Sequence, residues 1–363
     1  MRLDGELANG TRWLTGVNLF RSDLDADFTS NSTGFIFGRF NNSFVNESYA
    51  LFGEATVPFN DRLRLTGGAR YTHERRKFSG QFTDLSGGTL GFDSSESGSL
   101  DFNLWTGRAA LSYDLTPDVT GYVSAARGAK AGGFQLVDFD AARGLPTSTF
   151  QPAFTWTYET GLRGTVLNGI LDVSTAAFFN DTTDEHVQVF EPITFQSVIE
   201  NVDTETYGVE FETALRPVAG LTLSGGLALL HTEITKSADP SVQVGNEVPF
   251  APSVTLNLAA EYAQPVVVLN HAGDAYLRAE YQFVGARTVD PQNTFDLESF
   301  DIVNLYAGWS NETFSLYGFV TNLFDETYAQ TAFLFGASPA GELVSVGVPG
   351  EPRRFGVGLK YTF

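Results

Sequence analysis

The side chains that most often perform catalysis or bind metal ions are sparse in this sequence. Cysteine is absent, which excludes disulfides, thiolate nucleophiles and cysteine-based zinc sites. The four histidines lie far apart, so a histidine metal site would depend entirely on folding; they are His73, His186, His231 and His271. We therefore predict no metal site and no cofactor.

Two glycine-containing stretches resemble nucleotide-binding motifs, but each lacks a feature that the chemistry requires. The terminal GVGLKY begins like a dinucleotide-binding fingerprint and has no third glycine. In RGAKAGG, Lys130 precedes the paired glycines, and no Ser or Thr follows it as a P-loop requires. For a hydrolase triad, His231 is the only tempting base, and no nucleophilic serine stands out near it. We predict no catalytic residues and no enzyme activity.

One acidic stretch, SDLDADF, begins like a calcium-binding loop. Its aspartates alternate at positions 23, 25 and 27, as the first ligands of an EF-hand do. The pattern then fails, because Phe28 and Gly34 stand where the loop needs Gly and Glu. We interpret the segment from Asp23 to Asp27 as the solvated tip of an acidic loop.

The overall charge excludes one large class of partners. There are 43 acidic and 22 basic side chains, giving a net charge of −21, whereas a nucleic-acid-binding protein needs the opposite balance. No apolar run is long enough for a transmembrane helix. The first residues, MRLDGELANG, lack the apolar core of a signal peptide. If the protein is exported, we expect this chain to be part of a longer one.

Apolar residues recur at every second position through most of the chain, which is typical of strands with one apolar face. The excess of Phe, Gly and Thr also favours strands and turns. This periodicity predicts about 14 strands. They lie near 12–20, 46–57, 62–76, 101–113, 118–127, 154–166, 170–182, 205–216, 220–233, 253–262, 274–285, 301–309, 313–321 and 354–363.

Short and long connections alternate between these predicted strands. Short turns such as PFND, LNG and SNE carry Asn, Asp, Pro or Gly. The long connections are predicted at 21–45, 77–100, 128–153, 183–204, 234–252, 286–300 and 322–353. The link at 263–273 breaks the rule, because it should be short. This alternation predicts an antiparallel membrane barrel with turns at one end and large loops at the other.

The charges keep to one face of each predicted strand. In the strand at 62–76, Leu63 and Leu65 alternate with Arg62, Arg64 and Arg70. An arginine on the lipid face costs about 2–4 kcal/mol at the bilayer midplane, so the two faces cannot exchange. The apolar face therefore meets lipid and the polar face lines a lumen. A soluble barrel or sandwich would instead bury the apolar face.

Lumen arginines are the only ligand-binding candidates that the pattern offers. They could attract an anionic metal chelate, or they could pair with wall carboxylates such as Glu159, Glu210 and Glu280. The candidates are Arg64, Arg70, Arg163 and Arg278. Aromatic residues of the long connections could stack on a ligand or pack the loops; they are Phe134, Phe190, Phe195, Phe333 and Phe335.

Four stretches resemble segments of TonB-dependent outer-membrane receptors. They are YVSAARGAKAGGF at 122–134, WTYETGLRG at 156–164, NLFDETY at 322–328 and the terminal GVGLKYTF. The last is similar to the signal that the barrel-assembly machinery reads, with Gly358, Tyr361 and Phe363 at its positions. Gly356 departs from it, because a polar residue is commoner there. Together the four stretches cover residues 122–363.

The resemblance implies an all-β protein, a transmembrane antiparallel β-barrel. Family members have about 22 strands and a plug in the lumen. This chain, as a barrel domain over 1–363 without a plug, resembles their C-terminal part. The implied function is TonB-dependent uptake of a scarce ligand, most often an iron–siderophore complex, in the outer membrane of a Gram-negative bacterium. The alternative is a stand-alone channel of about 14 strands for passive uptake.

The same resemblance implies the partners. They are outer-membrane lipid and lipopolysaccharide, the barrel-assembly machinery, a small-molecule metal chelate and, through an N-terminal region missing here, the TonB complex. Divalent cations could bridge the acidic segment from Asp23 to Asp27 to lipopolysaccharide. Nucleic acid is not among the expected partners, because the chain is strongly acidic.

Overall fold

The structure is a computed structural model, and it describes residues 1–31, 37–88, 93–135, 145–191, 196–337 and 343–362. Strands account for most of these residues. In the described ranges, no helix is long and apolar enough to cross a membrane. Gly34, Phe195 and Phe363 lie outside the described residues, and so does the side chain of Phe335.

The described residues form 21 strands. The first eight are β1 (Arg2–Glu6), β2 (Arg12–Asn31), β3 (Phe37–Pro58), β4 (Leu63–Asp84), β5 (Ser94–Thr116), β6 (Val119–Lys130), β7 (Gly133–Phe134) and β8 (Thr149–Phe150). The next seven are β9 (Ala153–Val166), β10 (Leu171–Glu191), β11 (Gln196–Val218), β12 (Leu221–Ser237), β13 (Val254–Val268), β14 (His271–Val284) and β15 (Arg287–Thr288). The last six are β16 (Asp296–Leu297), β17 (Phe300–Ser310), β18 (Phe314–Thr321), β19 (Ala329–Ala337), β20 (Leu343–Pro349) and β21 (Arg354–Tyr361).

Fifteen strands form one antiparallel sheet in the order β1-β2-β3-β4-β5-β6-β9-β10-β11-β12-β13-β14-β17-β18-β21. Each of them therefore pairs with its neighbours along the chain, and β1 and β21 are the edges of the sheet. Three hairpins stand apart from it: β7–β8, β15–β16 and β19–β20. Each hairpin lies in a connection at the same end of the sheet, which we call the long-loop end. The opposite end, with short connections such as 59–62 and 117–118, is the turn end.

The two faces of the sheet differ sharply in chemistry. The outer face carries large apolar side chains that remain exposed, such as Leu51 and Trp105, each 60% exposed. At the level of this apolar surface, the inner face carries charged residues of the same strands, including Glu54, Arg64 and Arg108. Because side chains alternate along a strand, this separation needs period two through each strand. The phase predicted for the strand at 62–76 is confirmed by this arrangement.

The fourteen predicted strands all appear, and β1 is a fifteenth that the sequence did not reveal. Three predicted long connections, 21–45, 77–100 and 183–204, were wrong, since most of their residues continue the paired strands. In these extensions the apolar residues lie on the inner face, where Phe40, Phe82, Val187 and Val198 are buried, so the apolar phase of the band does not continue through the strands. The segment from Asp23 to Asp27 accordingly lies within β2 and not at a loop tip.

The exception to the alternation of short and long connections was also wrong. Strand β13 continues to Val268 and β14 begins at His271, leaving Leu269 and Asn270 as a two-residue turn. Both turn residues have positive φ, 48° and 71°, as tight hairpins require. The alternation of short and long connections therefore holds along the whole sheet.

Many of the buried apolar residues in the described ranges form three clusters, and all three lie at the long-loop end. The first joins strands β10, β11 and β12 to the segment 238–253; the second joins β2, β3 and β4; the third joins 285–299 to β19. Their buried members are Val187, Val189, Val198, Val202, Ile234 and Val242; Phe40 and Phe82; and Val289, Leu297 and Ala332. The first and third clusters therefore pack long connections against strands, and the second packs strand ends against one another.

On the last strand, β21, a glycine lies below an aromatic ring of the neighbouring strand. Gly358 on β21 pairs with Tyr317 on β18, and the Tyr317 ring occupies the space that a Cβ at Gly358 would need. The exposed surface of a glycine in a sheet is thereby covered by a cross-strand ring. Gly318, on the neighbouring strand, has room for a methyl group, because an added Cβ would meet its nearest atom, the Gly356 carbonyl oxygen, at an ordinary contact distance of 3.6 Å.

We predict that Gly358→Ala lowers the free energy of unfolding by about 1–2 kcal/mol, because the added methyl displaces the Tyr317 ring. Urea unfolding of the protein in detergent micelles measures this change. Gly318→Ala is the matched control, and its effect should stay within about 0.5 kcal/mol. Equal effects of the two substitutions would contradict the role given to the Tyr317 ring.

Candidate ligand-binding surface at the long-loop end

The predicted ligand-binding arginines lie on the inner face, and two of them form ion pairs with carboxylates. Arg64 donates two hydrogen bonds, of 2.5 and 2.6 Å, to Asp114. Asp114 also accepts a hydrogen bond from the Thr120 hydroxyl. Arg278 donates to Glu280 at 2.7 Å and to Glu261 at 3.2 Å. For both arginines, the structure shows pairing with wall carboxylates, which was the alternative to ligand contact.

The other two arginines are held less firmly. Arg70 donates to the Thr72 hydroxyl at 3.0 Å and lies 5.7 Å from the centre of the Phe52 ring. Arg163 is exposed, and it forms no ion pair with any residue that the structure describes. The four arginines come from β4, β9 and β14 and are not gathered into one site. Their ligand-binding role stays a prediction, for which Arg163 is the freest candidate.

The connection between β6 and β9 folds back against other strands at the long-loop end. We call its described parts, 131–135 and 145–152, the inserted loop. The loop leaves the sheet at Gly132 and Gly133, where a Cβ would collide with the backbone or ring of Phe150. These are the paired glycines of the AGGF stretch, so this part of the motif serves a close backbone approach.

Two buried polar residues of the inserted loop tie it to distant strands. Gln135, only 3% exposed, donates to the Ile199 carbonyl at 2.9 Å and accepts from the Ile199 amide at 3.0 Å. The Thr147 amide donates to both carboxylate oxygens of Glu96, at 2.9 and 3.0 Å, and its hydroxyl donates to the same carboxylate. The loop therefore connects β5 to β11 across the strands between them.

A third contact fixes the end of the inserted loop. The Gln151 amide donates to the Asn201 side chain at 2.8 Å, and Asn201 donates back to the Gln151 carbonyl at 3.1 Å. The Nε2 atom of His186 lies 2.7 Å from the same carbonyl, and the His186 ring meets the Phe150 ring edge-on at 4.8 Å. His186 therefore anchors a loop, and the sequence offered no signal for this long-range contact.

Phenylalanine rings line the strands below the inserted loop. Their centres lie 4.6–5.3 Å apart in the pairs Phe28–Phe40, Phe40–Phe82, Phe44–Phe78 and Phe78–Phe134. Of the loop aromatics proposed to meet a ligand or pack the loops, Phe134 packs, whereas Phe333 is 49% exposed. Phe195 lies outside the described residues. The cluster supports the inserted loop, and Phe333 stays available at the surface.

Two ion pairs line the inner face near the inserted loop. Arg76 binds Glu74 through Nε and Nη2, at 2.9 and 2.7 Å. Lys130 reaches Glu185 at 2.5 Å while its side chain remains 62% exposed. The exposed Lys130 and the partly buried Arg76, together with the packed loops, are features of the long-loop end that could meet an anionic ligand.

The NLFDETY stretch anchors the last long connection. Asn322, 3% exposed and with φ of 49°, donates to the carbonyls of Glu326 and Glu351 at 2.8 and 3.0 Å. Its side-chain oxygen accepts from the Glu326 amide at 2.8 Å. The Tyr328 ring stacks on Phe300 at 4.2 Å. The motif therefore closes the base of the 322–353 connection by satisfying buried backbone groups.

A buried arginine joins the last two long connections. Arg287, 7% exposed, donates to the Gln330 carbonyl at 2.8 Å and lies 5.6 Å from the centre of the Phe300 ring. Burial lowers the pKa of Arg287. In the part of the chain that the structure describes, no carboxylate pairs with this guanidinium. Its fixed contacts hold the segment 285–299 to β19.

We predict that Gln135→Glu releases the inserted loop, because the carboxylate cannot donate to the Ile199 carbonyl and would be buried near it. Hydrogen exchange of the amides in 145–152 should rise at least tenfold. Gln264→Glu is the matched control, since Gln264 is exposed at the turn end and makes one long hydrogen bond of 3.3 Å. Unchanged exchange in the Gln135 variant would contradict the proposed anchor.

We predict that Asn322→Asp costs about 2–3 kcal/mol of folding free energy, because it removes both side-chain donors from buried carbonyls. Asn304→Asp is the control, because Asn304 only accepts from the Asn322 amide, at 3.0 Å, and an aspartate still can. Urea unfolding measures both variants. A control variant as unstable as the Asn322 variant would exclude this explanation of the motif.

Comparison with known proteins agrees with this architecture. Residues 2–323 match the sequence profile of the family described as "TonB dependent receptor-like, beta-barrel". The pesticin receptor of Yersinia pestis is 25% identical over 299 residues, which are 82% of this chain and 42% of that receptor. The pesticin receptor of Yersinia enterocolitica matches over the same shares, also at 25% identity. This chain thus spans less than half the length of these relatives.

Solved structures show the same fold. The ferric yersiniabactin uptake receptor FyuA of Yersinia pestis superposes with a TM-score of 0.81 at 21% identity, over 99% of this chain and 52% of that one. The siderophore receptor PiuA of Acinetobacter baumannii gives 0.67 at 16% identity, over 97% and 56%. A protein described as the copper transporter OprC gives 0.72 at 17%, over 100% and 56%. With its family profile and its fold in agreement, the chain belongs to the TonB-dependent receptors, whose β-barrel it forms in part.

Proposed function

We propose that this chain is the C-terminal part of an outer-membrane receptor that takes up a ferric siderophore with energy supplied through TonB. The observation that carries the proposal is the division of one fifteen-stranded sheet into an exposed apolar outer face and a charged inner face. Such a division suits a wall between lipid and an aqueous lumen. The family consists of receptors and transporters, which supports uptake over catalysis.

The membrane position follows from the outer face. On β4 the apolar residues extend from Leu63 to Tyr71, a length that suits a band of about 25 Å crossed by tilted strands. Exposed Trp105, Tyr49 and Tyr207 lie at the end of this band toward the long loops, as interfacial aromatic residues do. We place the long-loop end outside the cell and the turn end in the periplasm.

The siderophore is proposed from the relatives together with the charges of the inner face. FyuA and PiuA are described as receptors for ferric yersiniabactin and for a siderophore. A ferric siderophore that carries negative charge would meet Lys130 and Arg76 at the long-loop end and Arg163 deeper on the wall. OprC is described as a copper transporter, so complexes of other metals are a second candidate for the ligand.

The strand order supports a larger barrel over a stand-alone channel. A barrel that closed on itself would pair β1 with β21, and no such pairing occurs among the described residues. The superposition on only 52% of FyuA agrees with the presence of further strands and a plug elsewhere in the whole protein. We propose that TonB acts through that remainder, and that the barrel-assembly machinery reads the end of β21, where Gly358 and Tyr361 lie.

Uptake of radioactive iron tests the proposal. We expect a strain that lacks the gene to lose uptake of one ferric siderophore from a panel, and a strain that lacks TonB to lose it equally. Uptake of iron supplied as ferric citrate, which enters through another receptor, is the control for general damage to the cells. Uptake that persists without TonB would favour the passive channel. No loss with any iron or copper complex would exclude the proposed transport.

We predict that Arg163→Gln lowers the rate of siderophore uptake at least threefold without changing the urea midpoint of unfolding. Arg163 is exposed and forms no ion pair in the described chain, so its charge is free to attract the chelate. Arg64→Gln is the comparison, and it should lower the urea midpoint because it leaves Asp114 without its guanidinium. An Arg163 variant with normal uptake would remove this residue from the ligand path.

A further inference from the structure

Strand β5 loses one of its two neighbours at the long-loop end. It pairs with β4 from Ser94 to Tyr113, but with β6 only from Gly107 onward. Beyond that point β6 ends at Lys130, and the chain turns into the inserted loop. The part of β5 at 95–103 therefore forms an edge within the sheet, which we call the free edge.

The backbone of the free edge has hydrogen-bonding groups without partners. Along an antiparallel strand, the N–H and C=O groups of successive residues point to opposite sides. The Asp114 amide donates to the Arg62 carbonyl beside β4, at 2.9 Å, so the odd-numbered residues of β5 face the other side. The Trp105 carbonyl agrees, because it accepts from Arg127 of β6. Among the described residues, no backbone hydrogen bond reaches the odd-numbered residues of the free edge from that side; they are Ser95, Ser97, Ser99, Asp101 and Asn103.

The chain covers a similar edge elsewhere in the sheet. Strand β12 pairs with β13 only as far as Leu229, so its upper part also lacks that neighbour. There the Ile234 amide donates to the Asn246 carbonyl at 2.8 Å, and the Gly245 amide donates to the Ile234 carbonyl at 2.9 Å. A segment of the connection before β13 thus takes the place of a strand. The described part of the inserted loop binds the side chain of Glu96 instead and leaves the free edge open.

The free edge lacks the usual devices that prevent an exposed strand from pairing. Prolines, lysines and bulges are such devices. The free edge contains no Pro or Lys, and its register with β4 is unbroken. Its two charged side chains are already bound, Glu96 by Thr147 and Asp101 by Arg75 at 2.7 Å. A strand edge of this kind is a template for another extended chain.

The side chains of the free edge define the strand that would fit it. Ser95, Ser97 and Ser99 are exposed on the outer face, whereas Leu100 and Phe102 are half-buried on the inner face. Directly opposed residues of paired strands share a face. The matching strand therefore alternates, with polar residues on the outer face and apolar residues on the inner face.

A cation without a carboxylate partner lies at the lower end of the free edge. Arg127 donates to the Trp105 carbonyl and lies 4.2 Å from the centre of the Phe154 ring. It forms no ion pair within the described ranges. An antiparallel incoming strand would begin at this end, so an acidic first residue would meet the guanidinium.

We propose that the free edge binds an extended segment of a secreted protein by strand addition, with an acidic residue of that segment at Arg127. An extended polypeptide supplies the alternating donors and acceptors that the free edge needs. A second copy of this chain fits less well, because two copies in one membrane would present parallel β5 strands, and parallel pairing is weaker. That the partner comes from outside the cell rests on the membrane position given under the proposed function.

The fluorescein-labelled peptide DVTVTVTK is the probe, and its fluorescence anisotropy with the intact protein in detergent measures binding. Its threonines would lie opposite Ser97, Ser99 and Asp101. Opposed residues that face each other exchange both backbone hydrogen bonds, so the threonine amides would bind β5. We expect methylation of the threonine amides to raise the Kd at least tenfold. Methylation of the valine amides is the matched control and should stay within threefold.

Two double variants test the same contact from the side of the protein. Ser97→Pro with Ser99→Pro removes two amides of the free edge without removing a hydrogen bond to β4, so the Kd should rise at least tenfold. Ser97→Ala with Ser99→Ala keeps these amides and should stay within twofold. An unchanged urea midpoint shows that the proline variant is folded.

The charge match has its own control. Arg127→Gln should raise the Kd of DVTVTVTK at least threefold and leave that of NVTVTVTK within twofold. An equal effect on both peptides would remove the acidic residue from the proposed partner.

The methylated peptides keep the test decisive if the proline variant fails to fold. Failure of DVTVTVTK to bind, equal binding of its two methylated forms, or undiminished binding by a folded proline variant would overturn the proposal. The assay needs neither siderophore nor TonB. Failed iron uptake with intact peptide binding would therefore reject only the proposed transport.

Discussion

The continuous antiparallel ladder is the constraint on which the rest of this structure depends. Every backbone group that faces hydrocarbon must find its partner in a neighbouring strand, because no water is there to replace it. Pairing each strand with its neighbour in the chain order satisfies this need with the shortest connections available at one end. The opposite end is then free to carry long connections, and two of the three apolar clusters there pack such connections against strands.

The ladder also decides what the inner face can do. Strand pairing places Arg64 near Asp114 and Arg278 near Glu261, so most inner charges neutralise one another inside the wall. An exposed ion pair of this kind holds its side chains in place more than it stabilises the fold. The few inner-face charges that lack such partners are available to bind a ligand or a plug. Arg163 belongs to that set because its opposite residues, Thr120 and Ser174, are uncharged.

The sequence predicted the strands of the apolar band well, because lipid and lumen impose opposite chemistry on alternate residues. It predicted the extensions poorly, since there the outer face is polar, as at Ser43 and Ser79, while apolar residues such as Phe44 and Phe78 lie on the inner face. The contacts of the candidate site could not be predicted from the sequence for another reason. Gln135 binds the backbone of Ile199, and any residue at that position would present the same amide and carbonyl. No side-chain pattern records such a contact.

The motifs that resemble those of the family lie where long connections join the wall. Gly132 and Gly133 permit the inserted loop to leave the sheet beside Phe150, and Asn322 closes the base of the last connection. These residues stand where a loop joins the wall, and they bind backbone groups that every sequence has. Loop interiors can therefore change with the ligand while their attachments stay constant. Loops that vary between fixed attachments would let proteins of one fold bind different ligands. FyuA and OprC, which share this fold, are described as a ferric yersiniabactin uptake receptor and a copper transporter.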